Sequence, residues 1–170
     1  MQHALQGVRV LDLSHGIAGP FAARLLGDYG ADVIKVEQPG KGDFARYLAP
    51  LKTDAVAAEQ SLLFQYLNWN KRSVALDLRL ATSRPVMQKL IEHSDIVIES
   101  FKPGRLESWG YSVDQLLEWN PTLVVTSVTN FGQTGPYRER AGYDYAVQGM
   151  GGLMSVTGER DDLGGGPQKV

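Results

Sequence analysis

The sequence predicts an open α/β fold in which mostly parallel strands alternate with helices. Five short apolar runs carry the strands: "VRVLDL", "DVIKVE", "SVALDL", "DIVIES" and "TLVVTSV". Between them lie segments whose apolar residues return at helical spacing, and this alternation builds an open α/β sheet. The first strand, helix and strand follow so closely that they imply a parallel pair with a right-handed crossover.

The first strand covers residues 8–13, and Pro20 suits the opening turn of the next helix, where a missing N–H costs nothing. Ala22, Leu25, Leu26 and Tyr29 fall at i, i+3, i+4 and i+7, one helical face, and Gly30 is placed to end the helix. "DVIKVE" is the second strand. Residues 38–59 read as irregular, opening on the turn-rich "QPGKGD". "SLLFQYLNWNKRS" reads as a short helix leading into the third strand, "SVALDL". Val86, Leu90 and Ile91 give the following helix its buried stripe, and "DIVIES" is the fourth strand. "KPGRLESWG" is a loop with room for one helical turn. "SVDQLLEWNP" is a helix with a serine or aspartate cap and a proline stop. "TLVVTSV" reads as a fully buried strand. The closing "GERDDLGGGPQKV" is a polar glycine loop, on which a domain rarely ends.

Composition narrows the function classes. At 170 residues and 43% hydrophobic, the chain suits one compact domain, residues 1–170, with a real core. A net charge of -2 with mixed signs argues against nucleic acid as a partner. The absence of cysteine excludes disulfides, thiolate metal sites and cysteine nucleophiles. The N-terminus lacks a signal-peptide pattern, and the apolar runs fall short of a membrane span. A cytoplasmic protein without a membrane partner is expected.

The turn "SHGIAGP" opens the chain in the order of a dinucleotide-binding unit, but it holds only Gly16 and Gly19 of the three glycines required. Pro20 also stands where a helix N–H would meet a pyrophosphate. Glu37 lies about 20 residues on, where a ribose-binding acid belongs. A tight strand-to-helix turn without a ligand explains the segment equally well. "PGKGD" is no P-loop, and Ser155 has the wrong spacing for a nucleophile elbow. His3, His15 and His93 have no metal-like spacing, so no metal is expected; His15 could line a site at the first strand's end, though a structural role suits it better. Asp161 and Asp162 read as solvated, and Gly164, Gly165 and Gly166 as linker.

Ligands of open α/β sheets bind beyond the carboxyl ends of the strands. Lys102, Arg105, Arg138 and Arg140 fall there, with Phe101 and Tyr143. They would suit a phosphorylated ligand with an aromatic base, or equally a solvated loop surface.

At this point five segments bear on the family: "LDLSHGIAGPFAARLLGDYGADVIKVEQPGKGD", "LNWNKRSVALDL", "VIESFKPGRLESWGY", "NPTLVVTSVTNFGQTGPYRERAGYD" and "GGLMSVTG". In this order, over nearly the whole chain, the sequence resembles the class III CoA-transferases, which include formyl-CoA and carnitine CoA-transferases. The resemblance implies a Rossmann-like open, mostly parallel sheet with flanking helices, binding coenzyme A rather than NAD. It places CoA contacts on Ile17, Ala18, Gln38, Leu67, Asn68, Asn70, Ser100, Phe101, Lys102 and Tyr143. Gln38 stands where the family often has arginine, and Ser108 where a basic residue often meets a CoA phosphate; Arg105 is near enough to supply that charge.

The resemblance also implies the chemistry. A family aspartate attacks the acyl-CoA thioester through a mixed anhydride and an aspartyl-CoA thioester, and a carboxylic acid then accepts the CoA. That nucleophile is expected a few residues past Val170, so none of the chain's own residues is expected to fill the role, with Tyr143 as a pocket residue. Family members are about twice as long or more, with two interlocked subunits, and the chain is expected to be the N-terminal part, inactive alone. Racemases of the superfamily carry a histidine before the aspartate of "G-H-D". Here Gly142, Tyr143 and Asp144 stand, and a tyrosine with pKa near ~10 is a poor α-proton base. The alternatives left open are a non-catalytic CoA-binding module or split-enzyme subunit, a racemase, and an NAD-dependent oxidoreductase domain.

Overall fold

The computed structural model describes residues 3–52 and 59–157. Five strands form one sheet: β1 (Arg9–Asp12), β2 (Asp32–Glu37), β3 (Lys71–Ala75), β4 (Ile96–Glu99) and β5 (Val124–Ser127). Their spatial order is β3-β2-β1-β4-β5, and every pairing is parallel. Leu11 is in register with both Ile34 and Val97, which centres β1 in the sheet. Strand order reverses between β1 and β4, so the loops leaving these two strands face one crevice.

The helices are α1 (Ala18–Asp28), α2 (Leu62–Leu67), α3 (Arg84–Glu92), α4 (Arg105–Ser108), α5 (Val113–Trp119) and α6 (Asp144–Met150). Ser61 and Ser112 cap α2 and α5, each hydroxyl accepting an N–H three residues on. A 3-10 turn covers Phe44–Tyr47. The chain divides into two compact units, Met1–Thr129 with the sheet and Asn130–Val170.

Two cores sandwich the sheet. Leu11, Leu13, Val36, Met87, Ile91, Val97 and Leu116 form one beneath α3 and α5. Val10, Ala23, Val33 and Ile98 form the other beneath α1. Alternate strand residues thus feed opposite faces, as the pleat requires.

Several expectations change. The buried face of α1 is Gly19, Pro20, Ala23 and Gly27, whereas Leu25 and Tyr29 are exposed. Small residues recurring at i, i+4 and i+8 let the helix backbone lie against the strands, and Gly19 already sits over Ser14. In α3, Met87 and Ile91 are fully buried while Val86 is 46% exposed, so the stripe lies one residue later than its start in the sequence pattern. β3 begins at Lys71, two residues before "SVALDL", because pairing starts at Val33↔Lys71. β5 is an edge strand among the described residues, and Val124 is 57% exposed rather than fully buried. The expected glycine loop at 158–170, with Asp161, Asp162 and Gly164 to Gly166, lies outside the described residues.

Candidate functional site

The crevice at the strand reversal is built from two loops. After β1 the chain runs through Leu13 and Ser14 to Gly16, whose φ of +79° suits glycine, and enters α1 with Ile17 and Ala18 exposed. After β4 it runs through Ser100, Phe101 and Lys102. The two loops are joined: the His15 N–H donates to Ser100 Oγ at 2.8 Å. The structure therefore brings Ile17, Ala18, Ser100, Phe101 and Lys102 to one edge of the sheet. Gln38 opens the next loop, and its carbonyl accepts the N–H groups of Lys41 and Gly42.

The Gly16 N–H is not free to meet a phosphate. It donates to Asp43 Oδ1 at 2.9 Å, inside the protein. Glu37, the sequence's candidate ribose acid, is equally engaged. Its carboxylate accepts from Arg46 Nε at 2.8 Å and Nη2 at 2.7 Å, and from the Asp43 N–H at 2.9 Å. Burial alone would push the Glu37 carboxyl up, but these hydrogen bonds and the Arg46 and Lys35 charges hold it at about 2. Both elements of a dinucleotide fingerprint are thus spent on the fold.

Beneath the turn lies a buried ionic cluster that sequence patterns did not single out. Asp12, Ser14, Lys35 and Asp43 are each at most 1% exposed. Lys71 Nζ reaches Asp12 Oδ2 at 2.8 Å and also donates to Pro20 O and Asn68 Oδ1. Lys35 Nζ meets Asp43 Oδ2 at 3.0 Å and donates to Ser14 O at 2.8 Å. Ser14 Oγ bonds Asp12 Oδ1. Burial pulls the Lys71 ammonium down, and Asp12 draws it back. Asp12 and Lys35 sit within apolar runs, where no motif or spacing singles them out. Their one signal was a charge inside a strand flanked by apolar residues on both sides.

Three further expected contacts lie in the segment that leads into β3. Leu67, Asn68 and Asn70 lead into β3, and Asn68 Oδ1 accepts from Lys71 Nζ at 2.9 Å, the same ammonium that donates to Pro20 O and meets Asp12. Leu67 is buried, the Asn68 amide donates to Phe64 O, and Asn70, at φ +64°, donates to Gly27 O. Asn70 thus ties the end of α1 to β3, while Asn68 joins the cluster beneath the turn that follows β1. The residues that leave the carboxyl end of β3 are instead Leu76 to Leu80, where Arg79 forms a two-point pair with Asp77.

Phe101 is half-buried beside two other rings. Its ring packs edge-on against Trp109 at 5.1 Å, and His15 lies 5.3 Å away on a tilted plane. Burial lowers the His15 imidazole below its ordinary value, against the pull of Asp43. Arg105 is exposed on α4, and Ser108 Oγ donates back to Arg105 O. In the second unit, Tyr143 caps α6, is 63% exposed and stacks on Tyr145. Arg138 pairs with Glu139, and Arg140 lies over Tyr137.

A cavity of about 350 Å³ lies at the opposite edge, lined among others by Arg9, Ile34, Arg72, Val86 and Leu90. It holds none of the candidate contacts. Among the described residues no cluster of His, Asp and Glu is arranged to hold a metal, and no helix is long and apolar enough to cross a membrane.

The model of CoA-transferase family III matches residues 5–170. A succinate–glutarate CoA-transferase of Agrobacterium fabrum is 43% identical over 168 residues, 98% of this chain and 41% of that protein. A formyl-CoA:oxalate CoA-transferase of Rhodopseudomonas palustris is 42% identical over 161 residues, 95% of this chain and 37% of that one. The crystal structure of a CAIB/BAIF family protein from Brucella suis aligns with a TM-score of 0.89 and 43% identity, over 100% of this chain and 44% of that one. The chain spans about two fifths of the length of these relatives.

Proposed function

The chain belongs to CoA-transferase family III, and from that premise we propose that its sheet is the coenzyme-A-binding part of a CoA-transferase. The observation that supports this reading is the hydrogen bond from the His15 N–H to Ser100 Oγ, which draws the loops after β1 and β4 to one crevice. There Ile17 and Ala18 are exposed, Ser100 and Phe101 form the facing wall, and Lys102 and Arg105 supply positive charge for phosphates. Gln38 meets the ligand from the loop after β2, and Tyr143 lines the thioester pocket. Leu67, Asn68 and Asn70 meet the ligand from the segment before β3, Asn68 from beside Lys71 and Pro20.

In the proposed reaction a carboxylate oxygen attacks the thioester carbon. The C–S bond breaks, its electron pair leaves on the CoA sulfur, and a mixed anhydride forms. The thiolate then attacks the enzyme's side of the anhydride and releases the donor acid as a carboxylate. The acceptor carboxylate then attacks the enzyme-bound thioester and displaces the thiolate, which attacks the acceptor's side of the new anhydride; the new acyl-CoA leaves and the enzyme carboxylate is freed. We assign the nucleophile to neither Asp12 nor Asp43, because each is buried and neutralised by a lysine. An aspartate beyond residue 170 fits that role better, as does an interlocked homodimer in which the whole enzyme acts. The substrates are an acyl-CoA and a carboxylic acid.

Calorimetric titration of the 170-residue protein with CoA and with NAD tests the reading. CoA binding without NAD binding is expected. NAD binding without CoA binding would overturn it in favour of an oxidoreductase domain. The same protein is expected to leave acyl-CoA and free acid unexchanged; turnover would place the nucleophile within these residues.

A further inference from the structure

The loop "QPGKGD" after β2 does more than carry Gln38. Gly40 and Gly42, at φ +76° and +66°, turn it sharply, and the Gln38 carbonyl closes the turn on the Gly42 N–H at 2.8 Å. The chain thereby returns Asp43, wholly buried, beneath the Ser14–Gly16 turn of the neighbouring loop. Asp43 Oδ1 accepts the N–H groups of Gly16 and Ala45, each at 2.9 Å, and Oδ2 faces the Lys35 ammonium at 3.0 Å. Lys35 Nζ in turn holds the Ser14 carbonyl at 2.8 Å. One ion pair thus clamps both sides of the turn. The Asp43 N–H anchors its own loop to Glu37.

A buried ion pair is a poor device for stability alone, since desolvation offsets most of its attraction. A neutral side chain would suffice to cap the short Phe44–Tyr47 turn. What the charged pair adds is fixed geometry between two loops. Ile17 and Ala18 follow Gly16 directly, and Gln38 lies five residues before Asp43. We propose that Asp43, acting through Gly16 and Lys35, is a positioning residue that sets the spacing between the Ile17–Ala18 backbone and Gln38 for the bound CoA. This rests on the CoA reading above.

The test measures CoA affinity of wild type, Asp43→Asn and Asp43→Ala at a temperature where melting curves show each folded. Asp43→Asn keeps an acceptor for Gly16 but loses the charge opposite Lys35, so CoA affinity is expected to fall about tenfold, and further in Asp43→Ala. The CoA-induced amide shifts of Ile17 and Ala18 should shrink in parallel, which a loss of stability alone does not produce. A folded variant that binds CoA within about twofold of wild type overturns the proposal. If neither variant folds, hydrogen exchange on wild type decides. The Gly16 amide is expected to be protected before CoA is added, and CoA is expected to slow Ile17 and Ala18; an unprotected Gly16 amide overturns the clamp. Failure of wild type to bind CoA strikes the CoA reading itself, a result distinct from an unaffected variant.

Discussion

His15 and Ser100, 85 residues apart in sequence, are joined by a 2.8 Å hydrogen bond from the His15 N–H to Ser100 Oγ. The His15 carbonyl and imidazole lie beside the same loop, the ring 5.3 Å from Phe101. The bond spans the one place where the strand order reverses.

This contact makes His15 a pH reporter. Burial lowers its imidazole pKa, outweighing the carboxylates of Asp43, Asp12 and Glu37, so the fold favours the neutral ring. Its stabilising contribution is complete above the ordinary value of 6.5 and erodes as pH falls through the lower folded value. An NMR titration of the His15 ring is expected to show a midpoint below 6.5. A midpoint at or above that value would contradict the packing.

Glu37 governs a more acidic range. With its carboxyl held at about 2 against an ordinary 4.5, its contribution is complete above pH 4.5 and is lost between there and about 2. Glu37→Gln should flatten the acid limb of the stability curve over that range. It also removes one of the two carboxylates on the half-buried Arg46, leaving Glu59, so urea unfolding at pH 7 should show a loss of about 2 kcal/mol. An unchanged acid limb would show that other carboxylates control it.

Gly19 tests the close approach of α1. A Cβ there would sit 2.3 Å from Ser14 Cβ. Gly19→Ala should therefore destabilise by roughly 1–3 kcal/mol through overpacking, although alanine is the better helix former. A stabilised variant in urea melts would mean that the helix stands further from the strands.

In α3 two adjacent residues should differ sharply. Met87→Ala empties a fully buried position and should cost about 2–5 kcal/mol. Val86→Ala, half exposed, should stay within about 0.5 kcal/mol. Equal effects would restore the stripe that begins at Val86.

These contrasts mark what patterns of residue type can and cannot convey. The five strands and their helices were legible because apolar runs and caps such as Ser112 are local signals. The face of α1 was not, because hydropathy favours Leu25 and Tyr29 while close packing selects glycine and alanine. That Asn68 meets Lys71 Nζ beneath the turn after β1 depends on strand pairing and register, which no local pattern conveys. The Asp12, Lys35, Asp43 and Lys71 cluster was hidden for the same reason. Its members come from four separate segments, united by the parallel pairing of β1, β2 and β3 and by the glycine turn that returns Asp43.

That cluster shapes how the sequence can drift. Changing any one member unbalances the buried charges of the cluster, in which Lys35 also lies 3.8 Å from Asp12, so a saturation scan of single positions should find all four intolerant. Their replacements would have to arrive in compensating pairs. In a library randomised at Lys35 and Asp43 together, survivors should be correlated, with a charged residue at one site seldom tolerated beside a neutral one at the other.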